Sequence, residues 1–350
     1  MSRIPVAILG ATGTVGQILV QRLASHPRFE PVALVASERS AGQRYGDVVR
    51  WRAPGEIPSR LANLPVLTAV PDGVPYAFSA LDAALAREIE PALAARGITV
   101  LSNASAHRLE PDVPLVIPEV NPGHLALLDI QRARRGWSGA LSANPNCVVA
   151  ALAVALAPLH RAFTLERLVV TTMQAASGAG YPGVPSLDLL GNVIPWIDGE
   201  EAKIGQELNR LLGAYDGEQV RPAGIGVSAH TNRVPTVDGH LVTVSAGFRT
   251  HPGADDLREV LREWRPEAPI CDLPSTPATP VVLHERADRP QPRLDVHLGN
   301  GMSVSVGRIR PCPVLDVRFV VLGHNLVRGA AGAAIQLGEL VASSFPPSRG

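Results

Sequence analysis

Short apolar runs separated by amphipathic stretches organise the first 146 residues. Residues 6–9 are all apolar, which predicts a buried strand, and residues 15–24 place apolar side chains at helical spacing. Strands then follow at 32–36, around 77–81, at 99–102 and at 115–120, with a helix at 84–96. The repetition of strand, crossover helix and strand predicts an α/β fold that begins with a Rossmann-like, doubly wound parallel sheet.

The pattern changes after residue 147. An alanine-rich apolar run over residues 148–159 predicts a buried helix. Strands are expected at 168–174, 241–248 and 302–309, helices at 200–212 and 254–264, an irregular surface stretch at 266–292, and a last helix at about 326–342. Strands outnumber helices here and their connections are long, which favours a second, α+β domain with a mostly antiparallel sheet. We expect domains over residues 1–146 and 147–325, with the C-terminal helix 326–350 completing the first domain.

Composition excludes several classes of protein. The 350 residues include 32 basic and 32 acidic side chains, so the net charge is zero. This balance gives no indication of a nucleic-acid or membrane-surface partner. Cys147, Cys271 and Cys312 are odd in number and far apart, which supports neither a disulfide framework nor a zinc site, and we expect no metal. A strand begins almost at once and no apolar run would span a bilayer, so we expect a cytoplasmic protein.

A glycine-rich turn, residues 10–16, joins the first strand to the first helix. Such a turn lets the backbone approach a pyrophosphate at a helix N-terminus. Its glycines are spaced GxxGxxG and not GxGxxG, so tight strand-to-helix packing is the alternative explanation. After the second strand, Arg39 lies between Ser37 and Ser40 and suits a 2′-phosphate, which favours NADP. Glu38 keeps NAD possible, and an ordinary exposed arginine would give the same pattern.

The stretch that ends in Asn146 and Cys147 carries the candidate nucleophile. Asn-Pro interrupts any preceding element, Asn146 is a good N-cap, and Cys147 then falls in the first turn of the apolar helix. A thiol at the positive end of the helix dipole is favoured as thiolate. The alternative is a small buried cysteine in a helix that happens to be capped by asparagine.

Seven motifs, in order along nearly the whole chain, resemble those of the aspartate-semialdehyde dehydrogenases, in particular their archaeal and fungal branch. The motifs occupy residues 10–16, 105–108, 144–147, 174–185, 192–203, 232–240 and 324–332. The resemblance implies NADPH-dependent reductive dephosphorylation of L-aspartyl-4-phosphate to L-aspartate 4-semialdehyde, on the route to lysine, methionine and threonine. It also implies dimers formed through the sheet of the second domain, often paired into tetramers.

The resemblance assigns roles to individual residues. The implied catalytic residues are Cys147 as nucleophile, His240 as general acid and base, Gln174, which orients the acyl group, and Asn146. The implied substrate-binding residues are Arg233 for the α-carboxylate, Glu200 for the α-amino group, and Arg108 and Lys203 for phosphate. The expected cofactor-binding residues are Gly10, Thr12, Gly13, Thr14, Val15, Gly16, Ser37, Arg39, Ser40, Ser79, Ala80, Ser177, Gly178 and Asn325.

The chain departs from the family pattern at a few positions. Val148 and Val149 follow the cysteine where hydroxyl residues are usual, His107 replaces an aromatic residue, and Thr231 stands where a cysteine is common. The nearest alternative is therefore a CoA-thioester reductase such as a malonyl-CoA reductase, and an N-acetyl-glutamyl-phosphate reductase fits the motifs less well. A non-catalytic nucleotide-binding paralogue is a further alternative, although such a chain would be free to lose Cys147 or His240.

Overall fold

Two six-stranded sheets organise residues 3–345, the part of the chain that the computed structural model describes. In chain order the strands are β1 (Ile4–Leu9), β2 (Phe29–Val35), β3 (Val66–Leu67), β4 (Tyr76–Ser79), β5 (Thr99–Ser102), β6 (Ala140–Ala143), β7 (Leu165–Gln174), β8 (Ala214–Tyr215), β9 (Val220–Arg221), β10 (Gly226–Arg233), β11 (His240–Phe248), β12 (Val281–His284), β13 (Val304–Pro311) and β14 (Val317–Gly323). Strands β8 and β9 form a separate short ribbon.

The helices connect and cover these sheets. In chain order they are α1 (Thr14–Leu23), α2 (Tyr45–Val48), α3 (Ser59–Ala62), α4 (Ala83–Ala95), α5 (Leu127–Arg135), α6 (Cys147–Phe163), α7 (Ser186–Leu189), α8 (Glu200–Leu211), α9 (Ala254–Glu263), α10 (Pro292–Asp295) and α11 (Gly332–Ser344). The predicted last helix begins with a π-helical turn, Val327–Ala331, before α11. Residues 346–350 of the predicted C-terminal helix lie outside the described residues.

The first sheet has the strand order β3-β2-β1-β4-β5-β6, and all of its pairings are parallel. The doubly wound parallel sheet predicted from the sequence is confirmed. Residues 6–9 of β1 are essentially inaccessible, as expected for a strand covered by helices on both faces.

The strand predicted at residues 115–120 is wrong. Leu115 makes only an isolated bridge to Ala143, and Asn121 ties this stretch by accepting from the Ile117 N–H and donating to the Leu115 carbonyl. Pro118 lacks the N–H that a continued strand would donate, so the chain turns away. The sixth strand is β6, which the hydrophobic pattern did not predict.

The second sheet has the order β10-β7-β11-β14-β13-β12. Three of its five pairings are antiparallel, β7 with β11, β11 with β14 and β13 with β14, and the other two are parallel. The sheet is thus mixed but mostly antiparallel, as predicted. The stretch 266–292 is not wholly irregular, because it contains β12, whose Val281 is buried against β13.

Helix α6 runs from the end of β6 to the start of β7 and so joins the two sheets. Its N-cap is Asn146, whose side-chain oxygen accepts from the N–H groups of Val148 at 2.9 Å and Val149 at 3.4 Å. Apolar side chains from 148 to 159 are buried all round, which explains a helix with no polar face. Cys147 consequently lies at the carboxyl end of the parallel sheet, where ligands of such sheets bind.

A buried ion pair ties the C-terminal segment to the first half of the chain. Arg328 is completely buried, and its Nη2 and Nη1 donate to Oε1 and Oε2 of Glu119 at 2.7 and 3.1 Å. Its Nε donates to the Met302 carbonyl at 2.6 Å. Helix α11 then packs against α1 and β5.

Candidate active site

Cys147 and His240 lie together at the junction of the two sheets. Cys147 is the first residue of α6, His240 is the first residue of β11, and Sγ is 3.1 Å from Nε2. The backbone N–H of Ala175 donates to Nδ1 of His240 at 3.0 Å. This hydrogen bond fixes the ring orientation and, by the pattern of partners, places the hydrogen of the neutral ring on Nε2. Any proton that the ring exchanges with a reacting group passes through Nε2.

The surroundings hold both groups in their neutral forms. Burial, with the charge of Glu200, raises the pKa of the Cys147 thiol to about 12, although Arg108 and Arg233 act in the opposite direction. Burial, with the charges of Arg233 and His324, lowers the pKa of His240 to about 3. The helix N-terminus alone therefore does not make Cys147 a thiolate, contrary to the expectation from sequence, because burial outweighs it.

Helix α8 brings a carboxylate close to the predicted site residues beside Cys147. Oε1 of the buried Glu200 accepts from Nδ2 of Asn146 at 2.7 Å and from Nε2 of Gln174 at 3.4 Å. Lys203, one helical turn further, places Nζ 3.8 Å from Oε2 of Glu200. The structure thus gathers these four predicted site residues around Cys147.

Arg233 approaches the pair from the end of β10. Its Nη1 donates to the Ala175 carbonyl at 2.8 Å, and burial lowers the pKa of the guanidinium. Gly178 fits closely beside it, since a Cβ there would lie 2.7 Å from Nη1 of Arg233 and 2.9 Å from Cε1 of His240. The guanidinium of Arg233 and the imidazole of His240 therefore both pack against Gly178, where a larger residue would collide with them.

Arg108 reaches the site from the segment that follows β5, and the buried Glu207 holds its side chain in place. Nη1 donates to Oε1 of Glu207 at 3.0 Å and Nη2 to the carbonyl of Asn103 at 2.7 Å. Within residues 3–345 its buried Nε has no partner. Glu207 is not among the residues predicted for the site, although its place seven residues after Glu200 on one amphipathic helix was a usable signal.

The glycine-rich turn fits a dinucleotide phosphate. Gly10 has φ +71°, and a Cβ there would lie 2.6 Å from the carbonyl oxygen of Ala80, so the β1 turn can pass close to the end of β4 only with glycine. Helix α1 begins after Gly13 without a side-chain cap, which leaves its N–H groups available to an anion. The turn also lies at the β1/β4 position where the strand order reverses.

The predicted cofactor-binding residues fall into five groups. The glycine-rich turn contains Gly10, Thr12 and Gly13, and the first turn of α1 contains Thr14, Val15 and Gly16. The turn after β2 contains Ser37, Arg39 and Ser40, and the end of β4 contains Ser79 and Ala80. The side of the cleft opposite α1 is formed by the second sheet's loops, which contain Ser177, Gly178 and Asn325. Asn325 donates through Nδ2 to Oγ of Ser177 at 2.8 Å, and its Oδ1 accepts the N–H of Gly239 at 2.9 Å. An open cleft of about 1100 Å³ runs from Thr14 to Ser177.

The described residues contain neither a metal-binding cluster nor a membrane-spanning helix. Among residues 3–345 no cluster of three or more histidine, cysteine or acidic side chains is arranged to hold a metal ion. Over the same residues no helix combines the length and apolar character that crossing a membrane requires.

Two family models match the chain. The semialdehyde dehydrogenase NAD binding domain matches residues 5–128, and the semialdehyde dehydrogenase dimerisation domain matches residues 156–328. The aspartate-semialdehyde dehydrogenase of Methanothermobacter thermautotrophicus is 48% identical over 96% of this chain and 98% of its own length. That of Cryptococcus neoformans is 45% identical over 97% and 96%.

Two other similar proteins bear on substrate and cofactor. The malonyl CoA reductase (NADP) of Metallosphaera sedula is 39% identical over 96% of this chain and 96% of its own. The crystal structure of the Candida albicans aspartate-semialdehyde dehydrogenase with NADP superposes with a TM-score of 0.88 at 38% identity, covering 97% of this chain and 98% of that one.

Proposed function

The chain belongs to the aspartate-semialdehyde dehydrogenase family, on its archaeal and fungal branch, and from this we infer that it reduces L-aspartyl-4-phosphate to L-aspartate 4-semialdehyde with NADPH. The observation that carries the inference is the 3.1 Å contact between Sγ of Cys147 and Nε2 of His240. Around this contact lie two arginines, a lysine and a carboxylate, which suit a substrate that is an amino acid and an acyl phosphate at once.

Cys147 performs the covalent step. The thiol gives up its proton, which departs on the leaving phosphate. The sulfur attacks the acyl carbon, the bond from that carbon to the phosphate oxygen breaks, and phosphate leaves with the bonding electrons. The product is a thioacyl group on Cys147. When bound, NADPH supplies the hydride that reduces this group. The resulting oxyanion collapses, the carbon–sulfur bond breaks, and aldehyde and thiolate separate.

His240 acts at Nε2 throughout. The Ala175 N–H holds the ring so that Nε2 points at the sulfur, where its hydrogen stabilises the thiolate and then the oxyanion. Asn146 and Gln174 both donate to the carboxylate of Glu200, which supports the predicted role of Gln174 in orienting the acyl group and the predicted place of Asn146 in the active site.

Substrate recognition follows from the charges. One end of the Arg233 guanidinium is taken by the Ala175 carbonyl, and the remaining donors suit the α-carboxylate. Glu200 suits the α-amino group. Lys203 and the unpartnered Nε of Arg108 suit the phosphate. Ser177 and Asn325 support the nicotinamide end, and Arg39, exposed after β2, suits the 2′-phosphate of NADP.

The second candidate, a malonyl-CoA reductase, is favoured by the similarity to the Metallosphaera sedula protein. Glu200, Lys203 and Arg233 favour the amino-acid substrate. A direct assay compares aspartate semialdehyde, phosphate and NADP or NAD with malonyl-CoA and NADPH. Turnover of the first mixture with NADP is expected, and turnover of malonyl-CoA alone would reverse the choice.

Cys147→Ala tests the nucleophile. Phosphate-dependent oxidation of aspartate semialdehyde should fall by about 10⁴-fold or more, since no other group can form the thioacyl bond. NADP binding, measured by quenching of protein fluorescence, should be unchanged. Cys271→Ala, at an exposed free cysteine, is the control and should retain full activity. Undiminished turnover in Cys147→Ala would refute the nucleophile assignment.

The assembly and the domain limits belong to the same proposal. The family model of the second half, a dimerisation domain, supports a homo-oligomer. We propose dimers formed through the exposed face of the second sheet, where Val169 is 44% exposed, and pairing of dimers into tetramers. Sedimentation velocity distinguishes these states.

We also propose a domain boundary at residue 146. It is supported by the strands of the two sheets, which come from separate ranges of the chain. The cytoplasmic location stays a prediction.

A further inference from the structure

Glu207 on α8 is a buried carboxylate with no part in the chemistry described above. It lies seven residues after Glu200, and only 2% of its surface is exposed. Oε2 accepts the backbone N–H of Asn146 at 2.5 Å, and Oε1 accepts from Nη1 of Arg108 at 3.0 Å. One carboxylate therefore connects the residue before the nucleophile with the candidate phosphate-binding arginine.

The contact with Asn146 completes the cap of α6. In a capping box, the side chain at the third helical position accepts the N–H of the cap residue. In α6 that position is Val149, which offers no acceptor, while the Asn146 side chain itself accepts from Val148 and Val149. Glu207 supplies the missing acceptor from another helix. The orientation of the turn that carries Cys147 thus depends on α8.

The contact with Arg108 fixes the arginine. Glu207 holds Nη1 and the Asn103 carbonyl holds Nη2, so the guanidinium plane is set. Burial raises the pKa of Glu207, although Arg108 and the Asn146 N–H oppose this shift. Each charge compensates the other in a buried site, and loss of either leaves its partner unpaired.

We propose that Glu207 is a positioning residue that holds the nucleophile turn and the phosphate-binding arginine in fixed relation to each other. It acts through Asn146 and Arg108 and does not touch the reacting atoms. The nature of the ligand, phosphate, rests on the proposed function.

Glu207→Gln in the full-length chain is the main test. Glutamine keeps the size and an acceptor for the Asn146 N–H but loses the charge that pairs with Arg108. We expect the KM for phosphate to rise about tenfold, the scale of one lost charged hydrogen bond, and kcat to change less. Inorganic phosphate should also protect Cys147 from iodoacetamide about tenfold less well. Glu207→Asp keeps the charge and should bind phosphate more tightly than Glu207→Gln.

Testing the same change in an Arg108→Ala variant separates a positioning role of Glu207 from a general loss of protein stability. In Arg108→Ala the additional change Glu207→Gln should alter the KM for phosphate by less than about twofold, because the pathway through Arg108 is already lost. Glu259→Gln makes the same chemical change at an exposed site on α9 and should leave activity unchanged. Equal effects of Glu207→Gln in both backgrounds, or a KM within about twofold of the unaltered protein, would overturn the proposal.

The protection measurement needs no turnover and so distinguishes the two proposals. If the unaltered protein fails to oxidise aspartate semialdehyde while phosphate still protects Cys147, the proposed function is wrong and the Glu207 variants are judged by protection. If phosphate gives the unaltered protein no protection, the positioning role of Glu207 is wrong.

Discussion

At the scale of the residue, the protein around Cys147 and His240 suppresses charge on both. Burial and Glu200 raise the pKa of the thiol to about 12, and burial and Arg233 are among the causes that lower the pKa of the imidazole to about 3. A cysteine in this state is slow to react with adventitious electrophiles. Ionisation is thus a step that the substrate charges have to assist.

The alkylation rate of Cys147 should report this state. Without substrate, inactivation by iodoacetamide should rise about tenfold per pH unit from pH 7 to 9 with no plateau, because the thiolate fraction grows steadily below a raised pKa. Glu200→Gln removes a negative charge that raises the pKa of Cys147, so this variant should react faster at pH 8. A plateau below pH 8, or slower alkylation of Glu200→Gln, would contradict the assignment.

Local rules of sequence predicted the residues whose partners are neighbours in the chain. Asn146 as N-cap and Cys147 in the first turn follow from a cap and an apolar run within a dozen residues. Local rules could not predict two contacts, the hydrogen bond from the Ala175 N–H to His240 and the one from the Asn146 N–H to Glu207. Their partners are 65 and 61 residues away along the chain. The roles of Arg233, Gln174 and Lys203 rested on the family resemblance.

At the scale of the element, the hydrophobic pattern predicted the long helices α6 and α8 well but missed several strands, including β10 and the buried, central β14 of the second sheet. The bounds of α8 and β5 agree with prediction to within one residue. Residues 115–120 are as apolar as a strand but are pinned by Asn121 and interrupted by Pro118. In contrast, β12 is a strand because a neighbouring strand pairs with it, which local propensity does not encode.

The π-helical turn Val327–Ala331 packs directly on Cys147 and provides a test of how element packing affects activity. A Cβ on Gly329 would lie 2.6 Å from the Cβ of Cys147, so one of the two must move. Gly329→Ala should lower kcat by about tenfold or more, since small misplacements of a nucleophile cost this much, and leave NADP binding intact. Gly123→Ala, where nothing lies within 4 Å, is the control. Equal activity of the two variants would show that the turn tolerates the shift.

At the scale of the whole molecule, the Glu119–Arg328 pair joins segments 209 residues apart. Glu119→Gln leaves the buried guanidinium without its counter-charge, and we expect a loss of about 3 kcal/mol in the free energy of unfolding by urea at pH 7. Glu285→Gln, at the exposed pair with Arg262, should cost less than about 0.5 kcal/mol. Similar losses in both variants would mean that the buried pair contributes no more to the free energy of unfolding than the exposed pair.

The same pair should make stability depend on pH. Burial alone would raise the pKa of Glu119, but the charge and hydrogen bonds of Arg328 outweigh it and hold the pKa below its usual range. A lowered folded-state pKa adds stability that is complete above about pH 4.3, the unfolded value, and is lost as pH falls through the folded value. The difference in thermal midpoint between the unaltered protein and Glu119→Gln should therefore shrink as the pH is lowered below 4.

Helix α11 also has a consequence for biosynthesis on the ribosome. It covers the first sheet, and Gly338 allows Phe78 and Phe29 to pack against it, yet its residues are translated after those of all six strands of that sheet. While the polypeptide is still being elongated, the nascent amino-terminal half lacks part of its apolar cover. Its final folding therefore waits until α11 has left the ribosome, and until then this surface is open to chaperones and to aggregation.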